Sequence, residues 1–269
     1  MLGKLIKDEV KSYRFSFGIM FLAGLVLTIF MKALCMLPYD PEIKESVQVM
    51  VGYSYYYIIM LISFAATILV VVRFYSTMVG DRGYLTWTLP ASSSTHIWAK
   101  LIGGMLWRII ALVVTVLYLG IFVIGDYWTF SDELSADVMN EFGEVFSQLW
   151  KAEYLVTIFL AILVMLLASV AGLLLLYLCI AVGQLFGKWR IPASIGCYFV
   201  IIIIAEVITI ASVFLIAVNV EMNTTIFEKM SPVGTINMVF GIMAVGALAI
   251  SAIMFAITNH IFKKRLNLE

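Results

Sequence analysis

Residues 155–186 read LVTIFLAILVMLLASVAGLLLLYLCIAVGQLF, without one charged side chain. At 1.5 Å per residue a helix of that run reaches roughly 48 Å, well beyond the ~30 Å of hydrocarbon in a bilayer. Apolar on every face, the run predicts a membrane span that tilts or continues past the bilayer.

Five further apolar runs are long enough to cross, at 16–37, 51–75, 101–125, 193–218 and 235–258. The whole chain agrees with them. It is 63% hydrophobic and 13% charged, with a mean hydropathy of +1.06, which excludes a soluble domain of this length. The expectation is an all-α polytopic membrane protein with six transmembrane helices, forming one membrane domain over 1–269. Neither an internal repeat nor a linker long enough to fold alone is visible.

Basic residues give the orientation. Lys4, Lys7, Lys11 and Arg14 precede the first run, Arg73, Arg82, Lys100 and Arg108 flank the second connection, Lys188 and Arg190 lie in the fourth, and Lys263, Lys264 and Arg265 end the chain. Only Lys32, Lys44, Lys151 and Lys229 fall on the other side, so both termini are expected in the cytoplasm. The acids gather opposite, chiefly between spans three and four, and the net charge of zero gives no hint of nucleic-acid binding. No A-x-A site follows the first run, which reads as an uncleaved span.

Two connecting segments carry helical patterns of their own. Over 1–15 the four cations recur at 3, 4, 3 spacing while Leu2, Leu5, Ile6, Val10 and Tyr13 take the opposite face. This predicts a cytoplasmic amphipathic N-terminal helix lying on the leaflet, anchored to anionic lipid or touching a soluble subunit. Over 126–153, Leu134, Val138, Phe142, Val145 and Leu149 form one stripe and Asp137, Glu141 and Glu144 another, between Tyr127, Trp128, Phe130 and Trp150. That pattern predicts an external acidic amphipathic helix, an outer gate or simply a solvated cap.

Catalytic and metal chemistry is sparse. Cys35, Cys179 and Cys197 lack C-x-x-C spacing, so neither a disulfide framework nor a zinc site is supported, and packed thiols suffice. His96 and His260 are too few for a histidine metal centre. GQLFGKW at 183–189 is one residue short of a phosphate loop and has Trp189 where Ser or Thr should hold magnesium, so ATP is not expected to bind there. Asn223-Thr224-Thr225 is a sequon that matters only in a eukaryotic secretory pathway. Glu206, central in the fifth span, either marks a pathway or partner contact or is a protonated carboxyl bonded to a neighbouring helix. Small residues Ala244, Ala247, Ser251, Ala252 and Ala256 let another helix approach span six closely.

The connection over 76–100 is the most informative polar segment. Gly80 and Gly83 break the preceding helix, and Pro90 followed by Ser92, Ser93, Ser94 and Thr95 supplies a stop and several N-caps, leaving a short helix or turn between. Tyr84, Leu85, Trp87 and Leu89 are too apolar to meet only water, and should pack on the membrane interface or enter a protein groove.

Arg73-Phe74-Tyr75 followed by Gly80-Asp81-Arg82-Gly83-Tyr84-Leu85-Thr86-Trp87-Thr88-Leu89-Pro90, in a six-span chain with a basic leading helix, resembles the ABC-2 type permease family of bacterial exporters. The resemblance covers the whole length in topology and about 20 residues in motif. It implies that Gly80, Asp81, Arg82, Gly83, Tyr84, Leu85, Trp87, Leu89 and Pro90 form a coupling segment docking on an ATPase subunit, and that 1–15 is similar to a connecting helix. The chain departs from the family at Arg82, where an acid is more usual, and at 91–95, which lack a basic residue.

By that resemblance the chain is a non-enzymatic transmembrane subunit in the cell membrane. It would pair with a second permease protomer and with ABC ATPase subunits that bind ATP and magnesium, and hold no cofactor itself. The alternatives are a proton- or cation-coupled secondary transporter using Glu206, and an intramembrane enzyme or accessory protein without transport. Matching broken helices would mark the former and a cluster of catalytic groups an enzyme; the sequence offers neither.

Overall fold

The computed structural model describes residues 2–80, 83–123, 143, 151–222 and 231–264. Among them the chain is all-helical and without strands: α1 (Leu2–Cys35), α2 (Pro41–Met78), α3 (Gly83–Trp87), α4 (Ser93–Val123), α5 (Ala152–Gly183), a 3-10 segment (Gln184–Trp189), α6 (Arg190–Met222) and α7 (Pro232–Lys264). The six α-helices other than α3 are long and apolar enough to cross a membrane, which makes this a multi-pass membrane protein. Asp81, Arg82, the expected external helix over 126–142 and 144–150, residues 223–229 and Arg265 lie outside the described residues.

Lipid explains why these runs become helices. Without water to bond the backbone, each span must satisfy its own N–H and C=O groups. The ends follow local chemistry: Pro38 stops α1, Pro41 opens α2 where its missing N–H costs nothing, and Ser231 caps α7 through Oγ to the Gly234 N–H at 3.1 Å. Large apolar side chains such as Phe15, Leu22, Leu61 and Phe64 stand outward while Thr28 and Thr258 are fully buried, the reverse of a soluble protein.

The chain forms two compact units. The first comprises Met1–Ser76 and Thr95–Gly143, the second Thr77–Ser94 and Glu144–Glu269. In the first, Trp107 Nε1 bonds the Val10 carbonyl at 3.0 Å and the Tyr118 hydroxyl bonds the Phe21 carbonyl, so α4 runs parallel to α1. Glu9 meets Arg73, and the Thr28 and Tyr55 hydroxyls lie 3.2 Å apart, so α2 runs antiparallel to α1. Phe17 lies against Trp107 with ring centroids 4.8 Å apart, and Tyr55 stacks on Phe122 at 4.1 Å. Gly24 sits where these helices converge: a Cβ there would come within 2.9 Å of the Tyr118 ring and 3.1 Å of Ile62 Cδ1.

In the second unit α5 packs chiefly on α7. Thr157 Oγ1 bonds Asn237 Oδ1 at 2.7 Å, and Ala244 and Ser251 are buried while Ala252 and Ala256 are exposed. The small-residue stripe thus serves a helix contact on one side only. Between residues 190 and 211, α6 has no buried residue.

Residues 2–15 do not form a helix of their own, contrary to the expectation of a separate surface helix over 1–15. They are the start of the 34-residue α1. Tyr13, Phe17, Gly24 and Thr28 are buried along one continuous stripe, so packing on α2 and α4 leaves no point at which the helix would turn away. Lys4, Lys7, Lys11 and Arg14 remain exposed on the other face.

Candidate functional site

The connection between α2 and α4 is shorter than its 76–100 reading, because α2 runs on to Met78 and α4 already begins at Ser93. Gly80 bends the chain, and the Gly83 N–H bonds the Gly80 carbonyl at 2.7 Å to open α3. Thr88 closes it, its N–H bonding the Tyr84 carbonyl at 3.2 Å and its Oγ1 the Leu85 carbonyl at 2.9 Å. Leu89 and Pro90 then lead through a tight turn, Ala91 N–H to Leu89 carbonyl at 2.7 Å, into α4.

Five residues are far too few for a helix stable by itself. Trp87 supplies the missing support. Its Nε1 bonds the Met78 carbonyl at 3.1 Å, satisfying a group left open at the end of α2, and its ring lies 5.8 Å from that of Phe262 near the end of α7. A second tie, Ser93 Oγ to Asn259 Oδ1 at 2.7 Å, holds the far end of the connection to α7. The loop therefore belongs to the second unit, although the helices it joins lie mostly in the first.

These contacts divide a set that the sequence treats as one. Trp87 is half-buried in the chain's own packing, whereas Tyr84 and Leu85 are each 66% exposed and Leu89 is 47% exposed. Tyr84 and Leu85 project outward, and Trp87 braces the segment that presents them. The 3-10 turn adds a surface the sequence reading passed over, since Leu185, Phe186 and Trp189 are all exposed. Its signal in the sequence is the closely spaced large apolar groups Leu185, Phe186 and Trp189. That turn lies between two helices, with Gly187 at φ 52°, and not in the strand-loop-helix setting of a phosphate loop.

Glu206 lies midway along α6 and is exposed among the described residues. It is not brought together with the α2–α4 connection by any described contact. Among the described residues no group of three His, Cys, Asp or Glu side chains is placed to hold a metal.

A polar cluster in the first unit went unread in the sequence. Glu9 accepts from Lys100 Nζ at 2.6 Å and from Arg73 Nε at 3.3 Å, with Lys100 only 3% and Glu9 14% exposed. The Arg73 guanidinium also stands 5.2 Å from the Tyr13 ring centroid. One carboxylate thus ties α1, α2 and α4 together. Its sequence signal was an acid on the apolar side of the leading helix, among Leu5, Ile6, Val10 and Tyr13. Against known proteins, no family model, no curated protein and no solved structure matches the chain.

Proposed function

We propose that this chain is the transmembrane permease subunit of an ATP-driven exporter of the ABC-2 type, N-in and C-in in the cell membrane. It works as a dimer with a second permease protomer, and separate ATPase subunits bind ATP and magnesium. The observation that carries this reading is the division within α3: Tyr84 and Leu85 project outward while Trp87 fixes the helix to Met78 and Phe262. A brace of this kind suits a segment that receives a push. Movement of an ATPase against Tyr84 and Leu85 would pass through Trp87 and Ser93 to the end of α7, reshaping a path between two bundles in alternating access. The basic stripe Lys4, Lys7, Lys11 and Arg14 fits the cytoplasmic leaflet or the ATPase surface.

The test is copurification of the chain with a subunit that hydrolyses ATP, followed by Tyr84→Ser/Leu85→Ser. Two exposed anchors are together worth about 2 kcal/mol of binding, so the double variant should weaken ATPase association roughly 30-fold while remaining inserted. Undiminished association overturns the docking assignment. Transport driven by a proton gradient without ATP, and lost in Glu206→Gln, would replace the exporter with the secondary transporter.

A further inference from the structure

The turn between α5 and α6 sets a register that the cysteine spacing conceals. The 3-10 segment reverses the chain through Phe186 and Gly187, the latter at φ 52°, ψ −111°. Gly183 then faces the start of α6 so closely that a Cβ would fall 2.6 Å from the Arg190 carbonyl oxygen and overlap the Ser194 side chain. Moving one helical turn away from this contact along each helix reaches Cys179 on α5 and Cys197 on α6. Their thiols are within hydrogen-bonding reach of each other. Cys179 is buried, whereas Cys197 is half-exposed on a stretch of α6 that contains no buried residue.

We propose that Cys179 and Cys197 form a dithiol modification site that a small-molecule disulfide closes into a cystine bridge between α5 and α6. Cys197, the accessible thiol, loses its proton and attacks one sulfur of the reagent, giving a mixed disulfide and releasing one thiolate. Cys179 in turn loses its proton and attacks the Cys197 sulfur, expelling the second. Two protein thiols and one small disulfide become one protein disulfide and two small thiols, with the released protons taken up by the two leaving thiolates. The bridge would lie about 6 Å from Gly183, one helical turn inside the hairpin, and would bar any sliding of α5 on α6. Cys35, in the first unit, takes no part.

The probe is dithiodipyridine, added to the reduced full-length chain in lipid nanodiscs, with products read by peptide mass spectrometry. The expected product is a reducible cross-link between the peptides of Cys179 and Cys197, with no pyridyl group left on either. Cys179→Ser should instead trap a stable pyridyl adduct on Cys197. Separate stable adducts on both cysteines of the parent chain, or a parent chain in which Cys197 does not react, would overturn the proposal. Neither outcome depends on whether the chain transports anything.

Discussion

In the first unit a carboxylate, two cations and a set of aromatic rings bind three helices side to side, with Glu9, Lys100, Trp107 and Tyr118 each reaching from one helix to another. In the second, small residues let α5 and α7 touch, one side-chain bond finishes that contact and a second ties Ser93 to α7, and no residue of α6 between 190 and 211 is buried. Lipid supplies no hydrophobic force between helices, so packing and polar bonds must hold a bundle. By that measure the first unit is internally finished. The second keeps an outward surface, and it also carries the connection that offers Tyr84 and Leu85.

The sharpest way to break this contrast is to remove Glu9. Taking away the carboxylate of a buried charge cluster removes the acceptor shared by Lys100 Nζ and Arg73 Nε, at a cost of about 3–5 kcal/mol. Glu9→Ala should therefore show the largest stability loss in denaturant unfolding from detergent micelles. Adding Lys100→Met should recover much of it, because the more deeply buried of the two cations is gone and its place becomes apolar. A Glu9→Ala chain as stable as the parent would place the strength of the first unit in its aromatic contacts alone.

Glycine gives the next comparison. Gly183→Ala drives a methyl group against a backbone oxygen that cannot step aside, so about 1–3 kcal/mol is expected from the forced shift. Gly24→Ala meets only a ring edge and the tip of Ile62, and the gain in helix preference, up to about 1 kcal/mol, offsets the crowding. Parallel unfolding measurements should rank Gly183→Ala as clearly the worse. The reverse order would mean that the first unit is the more tightly fitted.

These pairs also separate what the residues disclose from what only folding provides. The six spans were legible because an uncharged run such as 155–186 leaves no other use for so many Leu, Ile and Val side chains. The short helix at 83–87 was legible from Gly80, Gly83 and Pro90. The split between Tyr84 and Trp87 was not, since both are large aromatics in one polar loop, and the Met78 carbonyl and the Phe262 ring distinguish them only once the chain is folded. Register across a turn was equally hidden: Cys179 and Cys197 are neighbours because Gly187 takes a left-handed φ, which no spacing rule contains. Continuity of α1 was not legible, because a basic stripe on one face says nothing about whether lipid or Trp107 covers the other.

Within the second unit, Trp87→Phe tests the brace at finer scale. Phenylalanine can still lie on Phe262 but has no N–H for the Met78 carbonyl, so about 0.5–1.5 kcal/mol of local stability should be lost. The informative reading is hydrogen exchange at residues 83–89, which should rise while α1 and α4 stay protected. A matching rise in α1 would show that the loop is not governed by α7.

Glu206 gives the smallest effect in the single chain and the best test of the outward surface. The carboxyl is exposed midway along α6 and makes no described contact, so Glu206→Gln and Glu206→Leu should each change the stability of the isolated protomer by no more than about 0.5 kcal/mol. In the dimer proposed above the two should part. A carboxyl at mid-membrane depth is costly in lipid and is normally turned toward a partner or a wet path. Gln preserves a hydrogen bond to such a partner, while Leu leaves the partner's polar group buried and unmet at about 1–3 kcal/mol, some 5- to 150-fold in assembly. Dimer dissociation in nanodiscs should therefore rise for Leu and hold for Gln. If both variants assemble like the parent, Glu206 faces lipid headgroups or water and α6 is not the contact surface. If Leu destabilises even the isolated protomer, the carboxyl already has a partner within the chain, and the contrast between a finished first unit and an open second one fails.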